Sequence, residues 1–292
     1  MAGETISSSL AGTIYAKVIE NLVIAYQYDN LTVTPFFRQA SIAGQATTTA
    51  AFPRYVKSGS VPASVATEAT SITPTEMTTT STDIAVSRIG MARKVSSTAV
   101  EDSVVGRALG VEGLVLDAAR LYGEYFDTTA TALFSSVTAT VGASGTSLAL
   151  PTMVNLIGSQ RVNKARGPMV ISLHDNQLKQ LQQAQIQSTA TAWDKFYEPM
   201  GDGGQFGGYF MGAQIWASGL NPTSTGDRLG ACWVDGQAAA AYCAFGFVVK
   251  RLPSSLSLPD VLMDAQIWAS FARTGHGLIA DNFATSVRSV NA

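Results

Sequence analysis

Charge is scarce in this sequence: of 292 residues only 14% are Asp, Glu, Lys or Arg, against 46% hydrophobic. A soluble monomer usually keeps about 25% charge, so the composition predicts that other chains cover much of the surface. Nineteen basic against 21 acidic side chains leave a formal charge of -2. That balance excludes a global basic field of the kind that drives tight nucleic-acid binding, and any such contact is expected to be weak and local. Histidine is nearly absent, with only His174 and His276, so the side chain best suited to proton transfer near neutral pH is in short supply. No His-x-x-His, Cys-x-x-Cys, nucleophile elbow or Gly-Lys-Ser/Thr loop occurs, which leaves metal, hydrolase and nucleotide-triphosphate chemistry without a motif. No catalytic residue, metal or cofactor is therefore expected.

The two cysteines, Cys232 and Cys243, lack the spacing of a zinc or redox site. They read as buried free thiols, with a disulfide as the alternative. Residues Met1–Thr5 show no basic leader before an apolar run, and the longest apolar stretch, Ala238–Val249, falls short of the ~20 residues a spanning helix needs. Synthesis in a reducing cytoplasm and no membrane span are the expectations. The chain is long enough for one large domain or two or three interlocked subdomains.

What is present is a mixed pattern without repeats, an α+β class. Leu10, Ile14, Val18, Leu22 and Ala25 recur at helical steps over Ser9–Tyr26. A short extended piece follows at Thr32–Arg38 with Pro35, Phe36 and Phe37, then a loop around Gly44. Thr47–Lys57 and Met77–Val95 are rich in Thr, Val, Ile and Tyr, as strands prefer. Ser58–Pro74 between them has too little apolar content for a core of its own. This predicts a long two-stranded hairpin projecting from the body. Such a ribbon is marginal alone and Pro53 suits an edge strand, so the hairpin should need a neighbouring subunit to lie on.

Thr98 with Glu101 has the form of a capping box, which starts a helix. Val104, Ala108, Val111, Val115, Ala118, Tyr122 and Phe126 then form one stripe, with a break expected near Gly106–Gly113 and a long helix to about Ala132. After a Gly/Ser loop at Gly142–Ser147 come a helix over Pro151–Val162, a buried strand over Met169–Leu173, and a helix over Asp175–Ala184 capped by Asp175. Gly201–Gly208 reads as a loop. Strands are expected over Tyr209–Ala217, Ala231–Val234, Ala244–Arg251, Val261–Arg273 and Gly277–Arg288, and a short helix over Asp235–Tyr242.

Each residue that suggests chemistry also has a plain structural reading. His174 lies at a strand-to-helix junction and His276 between Gly275 and Gly277 in an evident turn, both as structural histidines. The Gly201–Gly208 glycines precede a strand instead of opening a helix after one, which disfavours phosphate cradling. Glu101 and Asp102 are adjacent on a helix, where their side chains diverge; they suit the first turn, favoured by the helix dipole. Arg88, Arg93 and Lys94 either touch nucleic acid or pair with acidic residues of a neighbour, the second being the better fit at a strand exit.

The order of elements from Phe52 to Ser103 carries a resemblance. An extended hairpin leads into Ile84-Ala-Val-Ser-Arg-Ile-Gly-Met-Ala-Arg-Lys-Val-Ser-Ser-Thr-Ala-Val-Glu-Asp-Ser, which is similar to the major capsid proteins of tailed bacteriophages, the Hong Kong 97-like fold, where a hairpin's returning strand runs into a Ser-initiated helix ending in Asp-Ser. Downstream, Met169-Val-Ile-Ser-Leu-His-Asp-Asn-Gln-Leu-Lys-Gln-Leu, Tyr209-Phe-Met-Gly-Ala-Gln-Ile-Trp and Asp235-Gly-Gln-Ala-Ala-Ala-Ala-Tyr keep the family's order, so the resemblance covers nearly the whole chain. It implies an N-terminal arm over residues 1–45, an extended loop over 46–95, a peripheral domain with a spine helix over 96–150 completed by strands from 251–292, and an axial domain over 151–250.

On the same resemblance, many copies tile an icosahedral shell around double-stranded DNA, a location in the virion after assembly in the host cytoplasm. Hexamers and pentamers of the chain are the implied partners, with scaffolding, portal and decoration proteins beside them and the DNA held weakly. Phe36, Phe37, Phe52, Arg54, Tyr55, Lys57, Arg88 and Arg93 are the implied contacts between subunits. Some members crosslink a loop Lys to a neighbour's Asn; Lys57 stands in the loop but nothing matches the partner site, so no crosslink is expected. The alternatives are an encapsulin-type shell around protein cargo and a secreted β-rich adhesin, the latter disfavoured by the absent leader and the long helix.

Overall fold

The computed structural model describes residues 31–56, 78–96, 106–187, 197–198, 206–224, 226–260 and 265–290. The expected Ser9–Tyr26 helix, the Ser58–Pro74 segment and the Thr98/Glu101 capping box lie outside the described residues. In chain order the elements are β1 (Arg38–Ser41), β2 (Thr49–Val56), β3 (Thr78–Ala85), β4 (Ser87–Ser96), α1 (Gly106–Ala132), β5 (Thr140–Val141), α2 (Leu150–Val162), β6 (Met169–Leu173), α3 (Asp175–Gln187), β7 (Tyr197–Glu198), β8 (Phe206–Phe210), β9 (Ala213–Ala217), β10 (Thr223–Ser224), β11 (Asp227–Val234), β12 (Phe245–Asp260), β13 (Ala265–Leu278) and β14 (Ala284–Val290).

Among the described residues the strands form three sheets. A four-stranded sheet runs β1-β12-β13-β4, a two-stranded ribbon pairs β2 with β3, and an eight-stranded sheet runs β5-β14-β11-β6-β9-β8-β7 with β10 on β11. In the large sheet the two-residue period of a strand sends alternate side chains to opposite cores. Ile171 and Cys232 face Met153, Leu156 and Ile157 of α2 and Leu181 of α3. Val170, Ala231 and Trp233 face the other way, onto Ala130 and Phe134 near the end of α1 and onto Phe245 and Phe247 of β12. Burial on both faces is why β6 reads as an apolar run interrupted only by Ser172, whose hydroxyl donates to the Asn221 side chain at 3.2 Å. Helix α1 lies across the four-stranded sheet through Ala118, Ala119, Tyr122 and Phe126, against Ala272, Ile89, Met91 and Trp268.

Several expectations are met closely: α2, β6, and α1 to its end at Ala132. Others are corrected. No break interrupts α1 at Gly106–Gly113, since the helix is continuous from Gly106. The glycines cost helix propensity, but tertiary packing outweighs a few kcal/mol of it. The single run Met77–Val95 is two strands, β3 on the ribbon and β4 on the four-stranded sheet. The segment expected as strand Tyr209–Ala217 preceded by a loop is a hairpin, β8 to β9, turned at Met211 and Gly212 with φ of 50° and 82°. Two residues in that left-handed region make the tight turn that suits strand twist. Asp235–Tyr242 is not an α-helix but turns followed by a 3-10 turn at Ala240–Tyr242. Strand β12 does not stop at Arg251: the register shifts between Arg251 and Ser254 pass Pro253 through an irregularity, and pairing resumes to Asp260.

The closing strands are Ala265–Leu278 and Ala284–Val290, so the reversal falls at residues 279–283 and His276 sits inside a strand opposite Phe247. The glycines around it serve close approach, not a turn. A Cβ at Gly275 would lie 2.1 Å from the Ala85 carbonyl oxygen, and one at Gly277 would lie 2.8 Å from Ile84. The chain crosses there from β3 to β4. Strand β14 pairs with β11 in the large sheet while β12 and β13 lie in the other, so the described strands after residue 251 are divided between the two sheets.

Candidate assembly surfaces

Two segments that precede α1 are held against the body at their roots. The first is Leu31–Phe37, where the sequence predicts an extended piece. It instead enters a 3-10 turn at Thr34–Phe36, where Pro35 at the first turn lacks only an amide that would go unused. Its anchor is Asp127 of α1, 1% exposed. One carboxylate oxygen accepts the amide and hydroxyl of Thr32, both at 2.6 Å; the other accepts the Val33 amide at 3.3 Å and the Thr34 amide and hydroxyl at 3.1 and 2.9 Å. Five donors around one carboxylate offset the cost of burying its charge.

Phe37, next along, is fully buried. It stacks on Phe245 with centroids 4.9 Å apart and meets Trp233 edge-on at 5.8 Å. The Phe36 carbonyl accepts the Gly236 amide at 2.8 Å and the Trp233 indole at 3.3 Å. Gly236 is required here, because a Cβ would lie 2.2 Å from the Arg38 nitrogen. Behind Phe37, the His276 ring stacks on Phe247 at 4.7 Å and faces Phe126 and Phe37. Burial in this aromatic cage pushes its pKa down to about 4.

The second segment is the β2–β3 ribbon. Its root does not project: Ala50, Phe52, Ile84 and Val86 pack on Ile42, Val248, Ile279 and Ala280, and the Thr82 hydroxyl donates to the Ile279 carbonyl at 3.3 Å. On the ribbon's other side Ala51 and Pro53 are exposed, as are Thr79, Thr80 and Ser81 of the facing strand. Pro53 sits opposite Ser81 in a ribbon whose strands are both edges, as a proline requires.

The expected contact residues therefore separate. Phe37 and Phe52 are 0% and 2% exposed within one chain, so their side chains have no surface left for a neighbour; apolar burial inside the subunit claims them first. Phe36 is half-buried against Trp216, centroids 5.2 Å apart. Arg54 is half-buried, donates to the Asn282 side-chain oxygen at 3.2 Å and lies 5.9 Å from the Phe283 ring. The backbone of Tyr55 pairs with Thr79, and Lys57 lies outside the described residues. Arg88 covers the Phe271 ring at 4.3 Å. It closes over a site where Gly90 leaves room for that ring, a Cβ there being 2.5 Å from it. Arg93 is expected to meet a neighbour's acid but pairs at 2.8 Å with Asp117 of its own α1, a contact the sequence hides because the residues are on different elements.

His174 is structural, as expected, and it caps α3 in place of Asp175. Its Nδ1 accepts the Asn176 amide at 3.0 Å, and the Gln177 side chain accepts the His174 amide at 3.0 Å. This is a capping box with histidine in the serine place. Both cysteines are buried free thiols, with burial raising Cys232 to about 12 and Cys243 to about 11, far from the reactive range. Sequence reasoning misses the apolar side chains left exposed on the long elements: Leu116, Leu121 and Tyr125 on α1, and Leu252 and Leu256 on β12. Their signal is a stripe too wide for one buried face.

No family model and no curated protein matches the chain. Solved structures do. The head structure of Helicobacter pylori bacteriophage KHP40 is similar at a TM-score of 0.63 and 9% identity, covering 89% of this chain and 91% of that one. The capsid of cyanophage P-SCSP1u is similar at 0.61 and 11%, covering 90% of each. A virus-like particle from Pyrococcus furiosus is similar at 0.59 and 9%, covering 93% of this chain and 98% of that one. The chain thus has the fold of phage capsid subunits over nearly its full length, as the resemblance in its sequence implies.

Proposed function

We propose that this chain is the major shell subunit of a tailed phage, many copies of which close an icosahedral capsid around double-stranded DNA. The observation that supports this most is two-way coverage: structures of phage capsids are matched over 89–90% of this chain and 90–91% of theirs. In this reading residues 1–45 form an arm and 46–95 an extended loop, both overlapping adjacent subunits. The body, α1 with the two larger sheets, is the tile. The exposed apolar residues of α1 and β12 suit burial against other copies. Low charge fits a subunit whose surface is shared. Each overlap is small, but several at once make loss of one subunit improbable.

The role is structural, with the virion as its place. Further partners in this reading are scaffolding, portal and decoration proteins. A protein-filled compartment is the second reading, motivated by the Pyrococcus furiosus virus-like particle. Sedimentation velocity and electron microscopy of the chain expressed alone test the first: closed shells, tubes or capsomer rings support it, and a monodisperse monomer at every salt concentration and protein load opposes it. Shells that co-purify with one packed protein species would favour the second.

A further inference from the structure

Between the root of the ribbon and the turn after α2 lies a cleft of about 900 Å³. Arg38 and Arg54 stand on one wall, Lys164 and Arg166 on the other, and no acidic side chain lines it. None of the four cations makes an ion pair among the described residues. In a chain of net charge -2 this is a local departure that composition conceals. The cations are also held in place. Ala165 is buried between Lys164 and Arg166, its amide donating to the Gln160 carbonyl at 3.1 Å. Lys164 takes the left-handed conformation, φ 60°, which a lysine rarely adopts. The two walls are tied together where Asn163 donates to the Asn282 carbonyl at 2.9 Å.

A helix C-terminus favours cations, yet Lys164 and Arg166 lie beyond α2, and Arg38 and Arg54 come from other strands. Two aromatic rings stand among the remaining lining residues: Tyr242 and Phe283 meet edge-on at 5.5 Å, both half-buried. Arg38 and Arg54 donate to the Pro53 carbonyl at 3.4 Å and the Asn282 side chain at 3.2 Å, but cations without an ion pair among the described residues, beside aromatic rings, make the kind of surface that tracks a nucleic-acid backbone.

We propose that this cleft binds the sugar-phosphate backbone of DNA, engaging two or more phosphates through Arg38, Arg54, Lys164 and Arg166. The inference rests on the shell reading, in which the packaged genome is the polyanion at hand. The group Arg88, Arg93 and Lys94 is the other basic cluster, and there Arg93 is already paired with Asp117.

The test is fluorescence anisotropy of a labelled DNA duplex with the full chain, in whatever assembly state it takes, from 50 to 200 mM salt. Lys164→Gln with Arg166→Gln should weaken binding about tenfold at the low end and make the slope of log affinity against log salt shallower by about 2, roughly 0.9 for each phosphate no longer neutralised. Arg54→Gln, on the opposite wall, should reduce the slope by about 1, and Lys179→Gln on α3 should leave it unchanged. All variants change exposed or half-buried side chains, and equal thermal melts check folding. Equal affinity and slope for wild type and the double variant would overturn the proposal while leaving the shell reading standing. A polyglutamate peptide that binds where the duplex does not, and whose binding disappears in the double variant, would overturn it in favour of an acidic protein partner. Absence of shells with cleft-dependent binding intact would count against the shell reading alone.

Discussion

The arm root and the ribbon root reach the same body by opposite chemistry. At the arm root, one buried carboxylate gathers five donors, and an aromatic cluster of Phe37, Trp233, Phe245 and His276 closes over it. At the ribbon root, a small apolar cluster that includes Phe52 and a two-stranded ladder hold the segment, with glycines at 246, 275 and 277 making room for Ile84 and Ala85. A buried charge network has one geometry that satisfies it. The first root is thus fixed by directional hydrogen bonds to one side chain, and the second by apolar packing and strand pairing.

Removing the carboxylate is the strongest way to break this comparison. Asp127→Ala leaves buried amides and hydroxyls without an acceptor and should cost about 3 to 5 kcal/mol, read as a lower denaturation midpoint of the unassembled chain. Acid comes next. His276 titrates near 6.5 when unfolded and about 4 when folded, so between those values the unfolded state binds the extra proton. Stability is intact above about pH 6.5, falls as pH drops, and levels off below about pH 4. The loss is up to about 3 kcal/mol, and a His276→Phe variant should lack that part of the slope in denaturant titrations at stepped pH.

For the ribbon, Ile84→Ala should cost about 2 to 3 kcal/mol, and hydrogen exchange should speed in β2 and β3 while β6 and β11 keep their protection. If protection falls everywhere, the ribbon is not the independent unit described. The smallest effect belongs to Arg93→Ala: its pair with Asp117 is half-exposed on both sides, and such pairs contribute less than about 1 kcal/mol.

Periodicity reads well where one principle acts alone. The stripe Ala118, Tyr122, Phe126 is buried as its spacing requires, and β6 is buried on both faces as its largely apolar sequence requires. It misleads where glycine or proline has a tertiary reason. Gly275 and Gly277 look like a turn but make room for a crossing strand, and the residues before Pro253 look like a strand end where an irregularity in register carries β12 onward. The Asp127 cradle is not legible: Thr32 and Asp127 are 95 residues apart, and no local pattern marks a polar side chain destined for the interior. The basic cleft is hidden for the same reason, its four cations coming from three separate segments.

The most direct test of the central claim, that a rigid tile assembles through segments reaching beyond it, is deletion of residues 58–74 followed by sedimentation and electron microscopy beside a thermal melt. An unchanged melt, with shells abolished or reduced to small rings, is the predicted result. Shells of the same size and yield as wild type would contradict it.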